Sequence, residues 1–123
     1  MKTIVQAIAD FEGFYVAHTR AQRNNNPGNI NFGKMAKAYG AVLETVPTGT
    51  VNEVPRFAHF PTVDNGWTCL RDLLVNNYHG MTVLDAFNKY APPSENNTVT
   101  YASYICKETG LKLTDVLTAD DIG

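Results

Sequence analysis

The segment Arg20–Gly33 is dominated by asparagine, proline and glycine, a composition that interrupts both helices and strands. Proline fixes a backbone angle, glycine accepts positive φ, and asparagine hydrogen-bonds to nearby backbone, so all three favour turns. The segment therefore predicts a structured loop that separates an N-terminal helix from the rest of the chain. A chain of 123 residues can bury one core, so we expect a single domain over residues 1–123.

The N-terminal segment carries the signals of a helix start. Thr3 and Gln6 have the spacing of a capping box, in which each side chain bonds to the backbone of the other residue. Apolar residues then recur at helical spacing and predict a helix that extends to about Phe14 or Val16. Glu12 follows a core-facing isoleucine by four positions, so we expect it to be partly buried. Burial would favour the protonated carboxyl that a general acid needs.

The remainder of the chain predicts a small hairpin and then helices. The segment Ala41–Phe60 is rich in valine and threonine and contains a Pro-Thr-Gly turn at 47–49, which is typical of a β-hairpin. Helical spacing between threonine caps and a glycine stop predicts helices at Val63–Asn77, Val83–Lys89 and Thr98–Thr109, with a last turn at Leu113–Leu117. This layout predicts an α+β fold that is mainly α.

Composition excludes several classes of protein. The formal net charge is −2 and no Lys/Arg cluster is present, which argues against nucleic-acid binding. No run approaches the ~20 apolar residues that span a bilayer, and the N-terminus lacks the features of a secretory signal. We therefore expect synthesis in the cytoplasm and no membrane insertion. Cys69 and Cys106 do not have metal-ligand spacing, so we expect two buried thiols, no metal and no cofactor.

Four motifs resemble those of a known family. A helix ending in FEGF is followed by RNNNPGNI, then RFAHFPTVDNGW, then KYAPPSENNTVTY. This order resembles small phage and prophage proteins of the lysozyme-like superfamily and is similar to bacterial cell-wall glucosaminidases. The late tyrosine motif of those enzymes is matched by Tyr90-Ala91 and by Tyr101–Ile105, with a longer insert between them. The resemblance covers nearly the whole chain and implies a lysozyme-like helical domain with a small hairpin lobe and a cleft.

The resemblance also implies an activity, which is cleavage of the glycan strands of bacterial peptidoglycan by a muramidase or an N-acetylglucosaminidase. It implies Glu12 as the general acid, and the pair Glu12-Gly13 is closer to the phage lysozymes than to the glucosaminidases. Tyr101, or alternatively Tyr90, would steady the substrate or the developing positive charge. The loop that borders the cleft would contain Asn25, Asn26, Gly28 and Asn29. The alternative for Asn26 and Asn29 is that their side chains bond to the backbone of the loop itself.

A second carboxylate is usual in glycoside hydrolases, and this sequence does not identify one plainly. Glu44 and Glu53 lie in the predicted hairpin, but each taken singly fits an exposed strand charge better. Without such a group a lytic transglycosylase route follows, in which the 6-hydroxyl of the sugar closes on the anomeric carbon. Glu95 and Asn96 fit both a cleft-lining loop and a helix-start turn.

The sequence is also compatible with a protein that is not an enzyme. A lysozyme-like structural or binding module of a virion or secretion machine would keep the asparagine-rich loop but would not need the acid Glu12. The expected partners are peptidoglycan glycan strands and a phage particle or delivery machine, since delivery to the wall needs a route other than a signal peptide. His59 and Trp67 are expected to be structural. Three tyrosines that could stack on sugar rings are not distinguished by the sequence: Tyr15, Tyr39 and Tyr78.

Overall fold

A computed structural model describes residues 1–50 and 53–123, so Val51 and Asn52 of the predicted hairpin lie outside the described residues. The elements in chain order are α1 (Ile4–Phe11), α2 (Arg20–Arg23), α3 (Lys34–Ala38), β1 (Val42–Leu43), β2 (Ala58–His59), α4 (Val63–Tyr78), α5 (Val83–Tyr90), α6 (Thr98–Thr109) and α7 (Ala119–Ile122). Helices dominate the described residues, and β1 and β2 pair antiparallel. The predicted class, α+β and mainly α, is confirmed.

The chain divides into two compact units. We call residues 1–11 and 71–123 the helical unit, and residues 12–70 the loop-and-sheet unit. The single domain over residues 1–123 stays a prediction. Within the described residues, no helix combines the length and the hydropathy needed to cross a membrane.

The helical unit is built from α1, α5, α6, α7 and the second half of α4. The capping box at the start of α1 is confirmed, since Thr3 N–H donates to Gln6 Oε1 at 3.0 Å and Gln6 N–H donates to Thr3 Oγ1 at 3.4 Å. Both α1 and α5 pack against α6. The helix α6 ends as predicted at Gly110, whose φ of 78° is costly for residues with a Cβ. The core of this unit includes Ile4, Ile8, Phe87, Ile105, Leu117 and Ile122.

The loop-and-sheet unit contains the short sheet and a small apolar core. Val42 pairs with His59 and Leu43 with Ala58. The predicted turn is present, because Thr50 N–H donates to the Pro47 carbonyl at 3.2 Å and Gly49 has a φ of 87°. The buried cluster beneath the sheet comprises Ala36, Ala41, Ala58, Phe60 and Cys69.

Several predicted boundaries were wrong. The helix α1 ends at Phe11 instead of Phe14 or Val16, because Gly13 takes a φ of 78° and turns the chain. The predicted loop Arg20–Gly33 begins with the helix α2, whose N-cap Thr19 accepts a hydrogen bond from Gln22 N–H. The helix α3 was not predicted.

The last predicted turn, Leu113–Leu117, is present only in part, because the turn is confined to Leu113 and Thr114. Val116 forms an isolated β-bridge with Thr82, and Leu117 N–H donates to the Met81 carbonyl at 2.8 Å. These backbone contacts join residues about 35 positions apart, so no local sequence pattern predicts them. The final helix is instead α7, which starts at Ala119 behind a capping box formed by Thr118 and Asp121.

Candidate active site

Glu12 lies in the turn that directly follows α1, where it is half-buried. It is therefore one residue beyond the helix on which it was predicted. Asn29 Nδ2 donates a hydrogen bond to Glu12 Oε1 at 3.0 Å. This bond joins the predicted acid to the predicted asparagine loop, which is 17 residues away in the chain.

The turn around Glu12 is fixed by the residues that follow it. Gly13 has a φ of 78°, which glycine adopts without the steric cost that a Cβ imposes. Its carbonyl accepts from the Thr19 hydroxyl at 2.7 Å and from Val16 N–H at 3.0 Å. The pair Glu12-Gly13 is therefore explained by backbone geometry, because the carboxylate is carried by a turn that requires glycine in its second place.

The asparagines of the loop divide into two kinds. Asn26 is fully buried and uses both ends of its amide on the backbone. Its Nδ2 donates to the carbonyls of Ile30 and Ala58, each at 2.9 Å, and its Oδ1 accepts from Ile30 N–H at 2.9 Å. Gly28 is also buried. We therefore assign Asn26 a structural role, the attachment of the loop to β2, in place of the substrate contact that the resemblance implied.

Asn25 and Asn29 differ from Asn26 because they are half-buried. Both have positive φ, 51° for Asn25 and 47° for Asn29, which asparagine tolerates better than most residues. Asn25 Nδ2 donates to the Phe60 carbonyl at 3.0 Å. The Oδ1 atom of Asn29 is buried and has no hydrogen-bond partner within the part of the chain that the structure describes. Asn29 thus contacts the carboxyl group with one end of its amide and keeps an acceptor at the other end.

Gly66 on α4 was not identified from the sequence, although it belongs to this site. A Cβ at Gly66 would lie 2.0 Å from the Asn25 carbonyl oxygen and 2.9 Å from Pro27 Cδ. The loop therefore lies directly on the bare backbone of α4. A glycine inside an otherwise amphipathic helix was the signal for such a close approach.

Glu44 is buried and bound on all sides, so the expectation of an exposed strand charge was wrong. Arg20 donates to it from Nε at 2.9 Å and from Nη2 at 2.7 Å, and Asn24 Nδ2 donates at 3.0 Å. The N–H groups of Arg56 and Phe57 donate at 3.0 and 2.7 Å. Burial by itself would raise the pKa of Glu44, but these hydrogen bonds, Arg20 first, outweigh burial and lower it to about 2.

Glu53 is also bound to arginine. Its carboxylate lies 2.9 Å from Arg23 Nη2 and 3.5 Å from Arg20 Nε, and its side chain is partly exposed. Both candidates for the second carboxylate therefore face the arginines of α2. We interpret Glu44 as a structural anion that holds α2 to the sheet. Asp64, exposed on the first turn of α4, is a further carboxylate of the loop-and-sheet unit.

The helical unit holds the other predicted site residues. Tyr101 is buried, and its ring centroid lies 3.9 Å from that of Phe11, 5.2 Å from that of Phe87 and 6.2 Å from that of Tyr90. Tyr90 and Tyr101 therefore belong to one aromatic cluster. The burial of the Tyr101 ring leaves little of it for a sugar to stack on.

Glu95 and Asn96 are exposed in the turn before α6. Their N–H groups donate to the Pro92 carbonyl at 2.9 and 3.0 Å, and the N-cap of α6 is Asn97. These bonds agree with the helix-start turn that was one of the two alternatives. A sugar contact from the exposed Glu95 and Asn96 side chains stays a prediction.

No protein-family model matches this sequence, and no curated protein matches it. Asn29 is a neutral amide, which can donate to an ionised carboxylate or, with its amide rotated, accept from a protonated one. Arginine can only donate. Asn29 therefore suits a carboxyl group that gains and loses a proton, whereas Arg20 stabilises only the ionised form of Glu44.

Proposed function

We propose that this protein cleaves the glycan strands of bacterial peptidoglycan, with Glu12 as the general acid. The observation that carries the proposal is the hydrogen bond from Asn29 Nδ2 to Glu12 Oε1. It pairs a half-buried carboxyl with a neutral amide on an asparagine-rich loop. The lysozyme-like form of the α+β fold is part of the same proposal, and it is supported by the order of the four sequence motifs.

The chemistry of a glycosidic bond explains why this pair is suitable. Bond cleavage needs a protonated carboxyl aimed at the leaving oxygen, and the positive charge that develops on the sugar must be stabilised. Glu12 accepts from the amide of Asn29, whereas Glu44 and Glu53 are ion-paired to arginine. We therefore assign proton donation to Glu12 and positioning of its carboxyl to Asn29.

The contacts of Glu44 and Glu53 favour a second form of the reaction, lytic transglycosylation. In this form Glu12 first donates its proton to the leaving glycosidic oxygen. The ionised carboxylate then takes the proton from the 6-hydroxyl of the N-acetylmuramate, and the oxygen of that hydroxyl closes on the anomeric carbon. The product is a 1,6-anhydro sugar, no water is consumed, and one carboxyl group serves both steps.

The proposal is tested by incubating purified protein with peptidoglycan and analysing the released sugars by mass spectrometry. Reducing ends would indicate hydrolysis, and their terminal sugar would name the bond; anhydro ends would indicate transglycosylation. Glu12→Gln keeps the shape of the side chain and removes its proton, so release should stop. Release by Glu12→Gln at the wild-type rate would overturn the proposal. Asp64→Asn, the same kind of change at an exposed carboxylate of the same unit, is the matched control and should release sugars at the wild-type rate.

A non-catalytic wall-binding module is the alternative that this experiment also decides. Such a module would sediment with peptidoglycan and release no sugar in either the wild-type or the Glu12→Gln form.

Two variants of Asn29, Asn29→Ala and Asn29→Gly, distinguish the positioning of the Glu12 carboxyl from an effect on folding. Both lack the amide and should lower kcat about tenfold or more. Only alanine should also lower stability, because of the φ of 47° at this position.

A further inference from the structure

Three aromatic side chains form a cluster in the loop-and-sheet unit, which we call the aromatic platform: Phe14, Tyr15 and Trp67. The Phe14 ring meets the rings of Tyr15 and Trp67 edge-on, with centroids 5.3 and 5.5 Å away. The Tyr15 and Trp67 centroids are 6.5 Å apart at an interplanar angle of 38°. Phe14 is buried, Trp67 is half-buried, and Tyr15 is 59% exposed. Phe14 thus supports two rings that remain accessible to solvent.

A series of contacts within the loop-and-sheet unit connects the aromatic platform to Glu12. Tyr15 is three residues after Glu12 in the turn, and its ring neighbours that of Trp67. Trp67 follows Gly66, whose backbone lies against Asn25 and Pro27 of the loop.

From there the loop leads to Asn29, which is hydrogen-bonded to Glu12. The platform and the carboxyl therefore lie in the same unit and are connected through a few neighbouring residues.

We infer that Tyr15 and Trp67 form a subsite that binds one sugar ring of the glycan next to Glu12. Pyranose rings carry C–H groups on their faces and hydroxyl and acetamido groups on their edges. An aromatic ring matches the face, and the polar tips of tyrosine and tryptophan, together with loop amides, match the edges. This inference rests on the proposed function and adds to it the residues that recognise the sugar. It also distinguishes the three tyrosines, since Tyr78 is buried and Tyr39 packs against the core cluster.

The binding test uses the fact that Trp67 is the sole tryptophan of the sequence. Its fluorescence therefore reports on this subsite alone. The Glu12→Gln protein is titrated with a purified tetrasaccharide of alternating N-acetylglucosamine and N-acetylmuramate, and binding is measured in parallel by calorimetry. We expect the emission of Trp67 to change with the same Kd that calorimetry gives. Binding without a change in emission, or no binding by either method, would overturn the inference.

Variants of Tyr15 in the Glu12→Gln background separate stacking from folding. Tyr15→Ala should weaken tetrasaccharide binding about tenfold, whereas Tyr15→Phe keeps the ring and should bind within about twofold of the parent. Val16→Ala is the matched control, because Val16 is the next residue and is similarly exposed. A Tyr15→Ala protein that binds as tightly as the Val16→Ala protein would contradict the assignment.

The subsite and the proposed function fail in different measurements. If the single variant Glu12→Gln still releases sugars, the catalytic assignment is wrong, and loss of binding in Tyr15→Ala continues to support the subsite. If Glu12→Gln is inactive and Tyr15→Ala binds normally, the catalytic assignment stands and the subsite is wrong.

Discussion

Glu12 and Glu44 lie in the same unit, and Glu44 is ion-paired to an arginine. The Glu44 carboxylate accepts from a guanidinium, an amide and two backbone N–H groups, and this set stabilises only its ionised form. Glu12 accepts from the neutral amide of Asn29. Glu44, which lies in the predicted hairpin, therefore serves structure, and the proposed general acid is Glu12.

At the residue scale, this difference predicts how stability depends on pH. The pKa of Glu44 is lowered from 4.5 to about 2, so its contribution to folding is complete above about pH 4.5 and is lost as pH falls toward about 2. The loss should be on the order of 2–3 kcal/mol. Glu44→Gln should remove this part of the acid dependence. It should also destabilise the protein by about 3 kcal/mol near neutral pH, because Arg20 loses its charged partner. Thermal unfolding followed by circular dichroism across this range checks both effects.

Glu53→Gln is the control for this prediction. Glu53 also pairs with arginine, but its side chain is partly exposed, so its removal should change stability by about 0–1 kcal/mol. Identical acid profiles for the wild type and Glu44→Gln would show that Glu44 is not the group responsible.

At the scale of helices and strands, the sequence predicted the features that depend on residues close together in the chain. The caps at Thr3 and Thr82 and the stop at Gly110 depend on a few neighbouring residues, and each is where the pattern indicated. The burial of Glu44 was not predictable, because its partner Arg20 is 24 residues away and lies in a helix of four residues too short to show periodicity. The bridge between Thr82 and Val116 was missed for the same reason.

The residues of the candidate site also divide into those that the sequence indicated and those whose roles depend on contacts between distant parts of the chain. Glu12 and the asparagine loop were found from motif order, whereas the structural role of Asn26 depends on carbonyls of β2 that only folding brings close. Gly66 was overlooked because one glycine in a helix has several explanations. Its function appears only when the loop is seen against α4.

The close contact between Gly66 of α4 and Asn25 of the loop predicts how a substitution of Gly66 changes stability. Helix propensity alone would make Gly66→Ala stabilising by about 1 kcal/mol. The added Cβ would lie 2.0 Å from the Asn25 carbonyl oxygen, so we expect destabilisation by about 1–3 kcal/mol and a shift in the fluorescence of Trp67. Thr68→Ala, exposed on the same helix, should change stability by about 0.5 kcal/mol or less. Denaturant titration of both variants checks the sign, and a stabilised Gly66→Ala protein would contradict the close packing.

At the scale of the whole molecule, charge sets the way in which a wall polymer can be bound. The chain has 10 basic and 12 acidic residues and a formal net charge of −2. Two arginines of the same unit, Arg20 and Arg23, are ion-paired to Glu44 and Glu53. Long-range attraction to an anionic cell wall would require a basic surface. Binding through amides and aromatic rings is short-ranged and largely independent of ionic strength.

The rate of sugar release from peptidoglycan should therefore change by less than about twofold between about 50 and 300 mM salt, since screening acts on long-range charge interactions. Peptidoglycan stripped of its anionic polymers is the comparison substrate. If like-charge repulsion has any effect, stripping should raise the rate at low salt and should matter less at high salt. A protein that reached the wall by cationic attraction would show the reverse: its rate would fall about tenfold with added salt, and stripping would slow it further. That outcome would mean that a basic surface, rather than the amides and aromatic rings around Glu12, governs recognition of the wall.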